Sequence, residues 1–365
     1  MTGTTRELFD DAVYPAVTGA GRHFVTSLPP APRGRFLELC SGTGVGALLG
    51  ARTAEHAWAV DITERSTRFA SFNAVLNGLE NVTALQGDVY GPVAGQRFDT
   101  IVAHPPYMQS SEVREIFRDG GIDGESVTRR ILEDLPRHLA TGGRFHCTCM
   151  LTDREGVELE DRIREMLGPE RDDFDLLLMP MSFVDPQRSL FDEAMRGRAT
   201  LDESRRHEAV YRELRVRQLV YCSFVLRRKR EERPPLTLRR PRGSATTGTA
   251  IEWLLEWELA SHGGNGDPPV EIAGATPRAS PHVRATSELA VKDGRWHPVD
   301  MALEVGWPFP VAIRCASWVL ELVAGCDGRG TVAEHLSVLR ERGLLTPDAP
   351  EDGLLDLVRS LVSAG

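Results

Sequence analysis

Four segments of this sequence combine residue types that can do chemistry with a position directly after a short apolar run. In chain order they are Glu38–Gly44, Asp61, Asp88 and His104–Tyr107. Short apolar runs of this kind predict buried strands. Ligands of open parallel sheets bind at the carboxyl ends of the strands, so the four segments are expected to meet. The sequence therefore predicts one ligand site built from four strand ends.

The first three segments suggest the chemistry of a nucleoside-containing ligand. Gly42 and Gly44 lie where a strand turns into a helix, and glycines there let the backbone approach a ligand closely. Asp61 can accept hydrogen bonds from both hydroxyls of a ribose, and Asp88 can accept one from an adenine amino group. Gly42, Gly44 and Ala47 also satisfy the dinucleotide fingerprint. A nicotinamide- or flavin-dependent oxidoreductase is therefore a rival interpretation.

The fourth segment, His104-Pro105-Pro106-Tyr107, is the candidate substrate-binding site. A neutral imidazole offers one hydrogen-bond acceptor and can take a proton near neutral pH. His104 can therefore orient a nitrogen, act as a general base for a hydroxyl or ammonium acceptor, or only shape the rim of the pocket. Tyr107 is expected to form one face of the pocket.

Seven apolar runs predict the elements that position these segments. They alternate with amphipathic stretches, which is the pattern of a βαβ sheet, and several are continuous apolar strings typical of strands buried on both faces. We therefore predict an α/β fold with a Rossmann-like, seven-stranded, mostly parallel sheet and a final antiparallel strand. The runs are Phe36–Leu39, Ala57–Val60, Val82–Leu85, Thr100–Ala103, Arg144–Leu151, Asp175–Met179 and Leu219–Leu226.

A helix is predicted between the second and third apolar runs. Phe69, Phe72 and Leu76 share one face of it, Thr63 can cap its start, and Asn77-Gly78 supplies a stop.

Length and composition predict more than one domain. Single hydrophobic cores stop growing near about 250–300 residues, and this chain has 365. We predict the Rossmann-like domain over residues 1–230, with a helical lead-in over 1–35, and a basic Pro/Gly/Ser linker over 231–250. Residues 251–365 are expected to form a small α+β, winged-helix-like accessory domain, which contributes to substrate choice or to formation of a homodimer.

The accessory domain has its own local signals. Lys292–Arg295 lies between apolar segments and predicts a hairpin turn. A helix is expected near Val311–Val323, and Thr331 with Glu334 forms a capping box that opens another. Nothing in this region resembles a catalytic cluster.

Composition argues against several classes of protein. Mean hydropathy is −0.25, and no apolar run approaches the roughly 20 residues that cross a bilayer, so no membrane span is predicted. The net charge of −10 gives no strong nucleic-acid footprint. The six cysteines show no zinc-binding spacing, so we predict reduced thiols, no metal site and a cytoplasmic location.

Together, these motifs resemble the class I S-adenosylmethionine-dependent methyltransferases. More narrowly, they resemble the branch with an Asn-Pro-Pro-Tyr/Phe tetrad, which includes the release-factor glutamine methyltransferases and several exocyclic-amine methylases of RNA and DNA. The resemblance lies in Phe36–Gly44, Ala59–Ile62, Gln86–Val89, Arg97–Tyr107, Phe117–Gly121 and Leu139–Arg144.

The resemblance implies a role for each site residue. Glu38, Gly42 and Gly44 would cradle the methionine end of S-adenosylmethionine, Asp61 would hold the ribose, and Asp88 with Val89 would hold the adenine. Further cofactor contacts would come from Cys40, Thr43, Ile62 and His104. The tetrad His104–Tyr107 would line the acceptor pocket, with His104 and Tyr107 as the catalytic residues.

Two departures from the family pattern affect the prediction. Cys40 stands at the first glycine of the usual Gly-x-Gly-x-Gly, and His104 stands where the family has Asn or Asp. We predict methyl transfer to a nitrogen or oxygen of a small metabolite, a peptide or protein, or a nucleobase amine. The alternatives are the oxidoreductase, a non-catalytic protein that keeps the fold as a binding scaffold, and transfer of the aminocarboxypropyl group of the same cofactor.

Overall fold

The computed structural model describes residues 12–110, 115–263, 269–346 and 348–364. The chain divides after Arg240 into two compact units, and this division falls inside the segment predicted as a linker. Across the described ranges, no helix is both long enough and apolar enough to cross a membrane.

A large mixed sheet dominates the first unit and confirms the predicted Rossmann-like class. Its strands are β1 (Arg35–Leu39), β2 (His56–Asp61), β3 (Val82–Gln86), β4 (Phe98–Ala103), β5 (Leu139–Arg154), β6 (Phe174–Val184), β7 (Val216–Arg228) and β8 (Thr237–Arg239). Their order is β3-β2-β1-β4-β5-β7-β6-β8. Only β7 pairs antiparallel with its neighbours. Each of the seven predicted runs lies inside one of the strands β1 to β7.

Helices cover both faces of this sheet because successive side chains of each strand point to opposite sides. Leu37 and Ile101 face an apolar cluster that includes Ile131, whereas Phe36 and Val102 face a second cluster. The helices are α1 (Gly19–Ser27), α2 (Val45–Gly50), α3 (Glu64–Leu76), α4 (Ser126–His138), α5 (Leu159–Glu165), α6 (Pro186–Met195) and α7 (Leu201–Glu213). The sheet is thus buried on both sides, and its strand ends are left to form a site.

Helix α3 forms where the sequence predicts it, but it packs on the sheet through a different face. The Thr63 side chain accepts a hydrogen bond from the Ser66 backbone N–H and caps its start. Its buried residues are small, namely Ser66, Ala70 and Ala74. Phe69, Phe72 and Leu76 are 47%, 62% and 70% exposed. Gly44 explains this arrangement, since its α-carbon lies so close to Ala70 that only small residues fit between helix and sheet.

The predicted linker is partly wrong, because an eighth strand lies inside it. Thr237–Arg239 pairs in parallel with Leu176–Leu178 at the edge of the sheet. The buried Asp175 holds the segment there: it accepts hydrogen bonds from the Leu236 backbone N–H at 2.9 Å and from Arg233 at 2.8 Å. A charged tether gives no periodic apolar signal, so the sequence does not reveal this strand.

The second unit is α+β, as predicted. Its described elements are α8 (Gly248–Ser261), β9 (Arg284–Lys292), β10 (Arg295–Val305), β11 (Val311–Arg314), α9 (Ser317–Gly325), α10 (Val332–Glu341) and α11 (Glu351–Ala364). The three strands form an antiparallel sheet in the order β11-β10-β9.

Two local predictions for this unit have opposite outcomes. The capping box is confirmed, since the Thr331 side chain and the Glu334 side chain each bond the other's backbone. The helix predicted near Val311–Val323 is wrong in its first part, because Val311–Arg314 pairs with β10 and the helix begins only at Ser317. An apolar run of this length is compatible with either state, and tertiary pairing selects the strand. The winged-helix comparison stays a prediction.

Candidate active site

A cavity of about 580 Å³ lies at the carboxyl ends of the parallel strands β1 to β4. A volume of this size accommodates a nucleoside-sized ligand together with part of a second molecule. All the site residues predicted from the sequence line the cavity, except Gly44. The structure therefore brings the four predicted segments together in one place.

Three residues of the glycine-rich turn after β1 lie in the left-handed region of backbone conformation. The φ angles are +53° at Cys40, +51° at Gly42 and +78° at Gly44. Glycine adopts such angles without steric cost, whereas a residue with a Cβ pays roughly 1 kcal/mol. A Cβ at Gly44 would lie 2.8 Å from the Cβ of Ala70, so this glycine serves helix packing rather than ligand contact. Cys40 keeps the turn geometry at a conformational cost.

Glu38 is a residue of β1, and its side chain lies at the amino-terminal end of α2. Its carboxylate accepts hydrogen bonds from the Gly46 backbone N–H at 2.9 Å and from the Ala47 backbone N–H at 2.8 Å. Burial raises the pKa of Glu38 to about 8, and the two backbone N–H groups offset only part of that rise. The helix N–H groups that a pyrophosphate would need are therefore already bonded to a protein carboxylate.

Asp61 ties the glycine-rich turn to the start of α3. One carboxylate oxygen accepts from the Gly42 backbone N–H at 2.8 Å. The other accepts from the Thr63 backbone N–H at 3.0 Å and from the Thr63 hydroxyl at 3.2 Å. A carboxylate has about four acceptor positions, so Asp61 keeps room for a ligand hydroxyl.

Asp88 lines the cavity after β3, but it is not an isolated carboxylate. It forms an ion pair with Arg130 of α4, and both side chains are about half exposed. Val89 follows with a φ of +46°, which turns the chain at the cavity wall. Arg130 also lines the cavity, and sequence reasoning missed it because a basic residue on a predicted helix usually indicates only a solvated face.

His104 lies deep in the cavity among aromatic rings. Its ring is stacked on that of Phe24, with centroids 5.4 Å apart and planes 19° apart. Burial lowers the pKa of His104 to about 4, so its imidazole is neutral at physiological pH. Among the described residues, neither ring nitrogen has a hydrogen-bond partner, which leaves both available to a ligand.

Tyr107 forms a wall of the same cavity. Its ring centroid lies 6.0 Å from that of His104 and 5.7 Å from that of Tyr221. Burial raises the pKa of Tyr107 to about 12, so its hydroxyl stays protonated near neutral pH. A general-base role for Tyr107 is therefore disfavoured.

Several cavity residues were not identified from the sequence as site residues. Tyr14, Phe24 and Phe117 line the cavity together with the tetrad. They come from the amino-terminal segment and from the loop after β4, and no local spacing connects them. Across the described ranges, no group of three or more His, Cys, Asp or Glu side chains is placed to hold a metal ion.

Comparisons with known proteins agree with this geometry. The sequence model of the methyltransferase small domain family matches residues 16–153. The ribosomal protein uL3 glutamine methyltransferase of Bradyrhizobium diazoefficiens is 38% identical over 126 residues, which cover 31% of this chain and 40% of that protein. The release factor glutamine methyltransferase of Thermodesulfovibrio yellowstonii is 30% identical over 122 residues, covering 30% and 44%. A putative protein N5-glutamine methyltransferase of Methanocaldococcus jannaschii is 34% identical over 114 residues, covering 29% and 57%.

Residues 16–153 are therefore similar to the methyltransferase small domain. The chain spans about half the length of the curated relatives it matches. The family resemblance stated from the sequence is confirmed for this domain, and the rival oxidoreductase is not favoured.

Proposed function

We propose that this protein transfers a methyl group from S-adenosylmethionine to an uncharged nitrogen of an acceptor. The observation that carries the proposal is the bonding of Glu38 to the backbone N–H groups of Gly46 and Ala47. A dinucleotide enzyme places its pyrophosphate on these N–H groups, but here the two oxygens of the Glu38 carboxyl group already occupy them. The methionine end of S-adenosylmethionine carries an ammonium group, which a buried carboxylate attracts.

The residues of the turn fit the rest of the cofactor. Asp61 can accept a ribose hydroxyl while it still holds the Gly42 N–H. Asp88 with Val89 lies where the adenine is expected, and Cys40, Thr43 and Ile62 complete the wall. When bound, S-adenosylmethionine supplies a methyl group already activated by its sulfonium. The protein then has to position the acceptor and exclude water. This transfer does not require a metal ion.

His104 is proposed to position the acceptor rather than to act as a general base. A base that works near neutral pH needs a pKa near 7, and burial holds the pKa of His104 near 4. A neutral imidazole still accepts one hydrogen bond through its unprotonated nitrogen, as the carbonyl of an asparagine would. An acceptor N–H bonded to His104 would turn its lone pair toward the methyl group. Tyr107 would form the opposite wall.

The relatives suggest where a search for the acceptor begins. Their names state glutamine side chains of a ribosomal protein or a release factor as substrates. An amide nitrogen is uncharged at neutral pH, which agrees with a pocket that offers no base. We propose an uncharged nitrogen acceptor and treat an oxygen acceptor as the second possibility.

The test is turnover with a labelled cofactor. Purified protein is incubated with S-adenosylmethionine carrying a labelled methyl group and with a fraction of small-molecule and protein acceptors, and S-adenosylhomocysteine is measured. The proposal predicts acceptor-dependent formation of S-adenosylhomocysteine with the label on nitrogen. Formation of methylthioadenosine instead would show aminocarboxypropyl transfer, and cofactor binding without any turnover would support the non-catalytic scaffold.

A further inference from the structure

Five aromatic rings line the acceptor end of the cavity and contact one another. Tyr14 stands edge-on to His104 with centroids 5.9 Å apart and planes 85° apart, and it lies 5.7 Å from Phe117. Phe24 stacks on His104, and Tyr107 lies 6.0 Å from it on another side. We call this set the aromatic box; its members are Tyr14, Phe24, His104, Tyr107 and Phe117.

The box is rigidly supported in the protein. The Tyr14 hydroxyl is 2.6 Å from the hydroxyl of Thr18, which caps α1. Phe24 is buried in α1, and Tyr221 of β7 supports Tyr107 from behind at 5.7 Å. These contacts support the walls of the box from within the domain.

Phe117 is held by the charged residues on either side of it. The Asp119 carboxylate accepts from the Glu115 backbone N–H at 2.9 Å, which closes the turn around Phe117. Arg118 forms ion pairs with Asp119, with Glu115 and with Glu193 of α6. The loop that carries this wall is therefore anchored to the rest of the domain.

The box has no charge of its own to offer a ligand. His104 is neutral because burial holds its pKa near 4, and burial keeps the Tyr107 hydroxyl protonated. A primary ammonium acceptor would have to lose a proton before methyl transfer, and no group of the box can take it. The walls offer π faces and edges together with one unprotonated imidazole nitrogen, which is complementary to a flat ring that bears an N–H group.

Three arginines line the cavity within the part of the chain that the structure describes, and each of them has an acidic partner. Arg118 is paired as described, Arg130 is paired with Asp88, and Arg198 lies 3.7 Å from Glu193. Phosphate binding by nucleic-acid enzymes depends on basic side chains that can neutralise the backbone. The three described arginines of this mouth are thus paired within the domain, and the chain as a whole carries a net charge of −10. A free small molecule fits this mouth better than a nucleic-acid strand.

We propose that the acceptor is a small, uncharged aromatic or heteroaromatic molecule in which the lone pair of a ring imine nitrogen or of a ring-bound amine attacks the methyl carbon. The bond between methyl and sulfur breaks as the new C–N bond forms, S-adenosylhomocysteine is the leaving group, and the methylated cationic nitrogen then releases its proton to water. The inference rests on the proposed function for the identity of the reaction, and it departs from the aliphatic glutamine amides named for the relatives. It assigns Tyr14 and Phe117, which lie outside the tetrad, as specificity-determining residues for that ring.

The test is direct binding of ring and non-ring probes to the full chain saturated with S-adenosylhomocysteine. Saturation-transfer NMR compares benzimidazole, N-acetylglutamine methylamide, butylamine and a short single-stranded DNA oligonucleotide. Benzimidazole is expected to bind, and the other three are expected to bind at least about tenfold more weakly. Equal or tighter binding of the glutamine amide overturns the ring assignment, and tight binding of the oligonucleotide overturns the small-molecule assignment.

Matched variants locate the binding in the box. Phe117→Leu and Tyr14→Leu remove a ring but keep apolar bulk, and each is expected to weaken benzimidazole binding about tenfold. The control Phe191→Leu removes a ring of α6 that is 63% exposed and lies outside the cavity lining, and it should change nothing. Unchanged affinity for benzimidazole in both box variants contradicts the proposal. If one variant does not fold, the other still tests it.

The result stays separable from the proposed function. If wild-type protein does not bind S-adenosylhomocysteine, the methyltransferase proposal fails. Binding of benzimidazole in the absence of S-adenosylhomocysteine then still tests the aromatic box. If S-adenosylhomocysteine binds and benzimidazole does not, the ring assignment alone fails.

Discussion

The two ends of the cavity are built by different means. The end proposed for the cofactor consists of strand-end carboxylates and a glycine-rich turn, held by short hydrogen bonds between Glu38, Asp61 and the backbone N–H groups of the turn. The end proposed for the acceptor consists of rings from distant parts of the chain, held by packing around His104. Backbone geometry defines the first end, whereas side-chain identity defines the second.

This difference distinguishes features that the fold requires, such as the backbone geometry of the turn, from features that can vary within the same fold, such as the identity of the rings. A turn that is held through its own backbone N–H groups tolerates few substitutions, because three of its residues adopt a left-handed φ angle. Rings that meet by packing need no special backbone angle, so a change of ring type leaves the geometry of the turn intact. We therefore expect the cofactor to be common to proteins with this turn and the acceptor to depend on the aromatic box.

The largest expected effect is at the acceptor end. His104→Ala removes the imidazole nitrogen proposed to accept a hydrogen bond from the substrate and should lower kcat about 100-fold, because a misplaced substrate loses its alignment with the methyl group. The measurement is initial rate at saturating cofactor. The affinity for S-adenosylhomocysteine should fall much less than kcat does, since Glu38, Asp61 and Asp88 at the cofactor end are unchanged.

His104→Asn is the matched variant. Asparagine restores a carbonyl acceptor, so activity toward nitrogen acceptors should stay within about tenfold of wild type. A loss as large as that of His104→Ala would mean that His104 works through chemistry that asparagine lacks, and the positioning role would then be wrong.

A smaller effect is expected at the cofactor end. Asp61→Ala removes the acceptor for the Gly42 and Thr63 N–H groups together with the proposed ribose contact. Hydrogen bonds to a charged group contribute about 1.5–3 kcal/mol, so calorimetry should find affinity for S-adenosylmethionine at least about tenfold weaker. Asp134→Ala, which removes a carboxylate paired with Arg137 outside the cavity lining, is the control. A change below twofold in Asp61→Ala would refute the ribose assignment.

The smallest expected effect is a fraction of a proton at Glu38. With a pKa of about 8 in the ligand-free protein, Glu38 is mostly protonated at pH 7, and the ammonium group of the cofactor should lower that pKa. Cofactor binding at pH 7 should therefore release up to about 0.9 proton, and the release should disappear above about pH 9. Calorimetry in phosphate and Tris buffers measures it, and Glu38→Gln should abolish it. Equal binding enthalpies in the two buffers for wild type would contradict the assignment.

The residues at the end proposed for the cofactor are found from the sequence because their signals are local. A glycine at a strand end, a carboxylate closing the next strand and a capping threonine each act within a few residues. The seven strands of the Rossmann-like sheet follow from the same kind of signal, since each is a short apolar run. In the structure these residues lie together at the carboxyl ends of the parallel strands.

The acceptor end of the cavity and three details of the fold cannot be predicted from local sequence signals, and the reason is the same for all of them. Phe117 and Tyr14 meet only through the tertiary fold, and β8 forms because the buried Asp175 holds a charged segment. The phenylalanines of α3 predict a packed face, yet the close approach of Gly44 to Ala70 requires small residues there. In β11, pairing across the sheet decides the state of an ambiguous apolar run. Each case depends on a contact between residues far apart in the sequence.

The central claim is that the turn after β1 binds S-adenosylmethionine. Calorimetry of the full chain with S-adenosylmethionine and S-adenosylhomocysteine, with NADH and NADPH as controls, tests it most directly. Micromolar binding of the two sulfur compounds, with no heat from the two dinucleotides, is the predicted result. Binding of NADH or NADPH and silence toward both sulfur compounds would contradict the claim, and the Glu38 contacts would then have to open to admit a pyrophosphate.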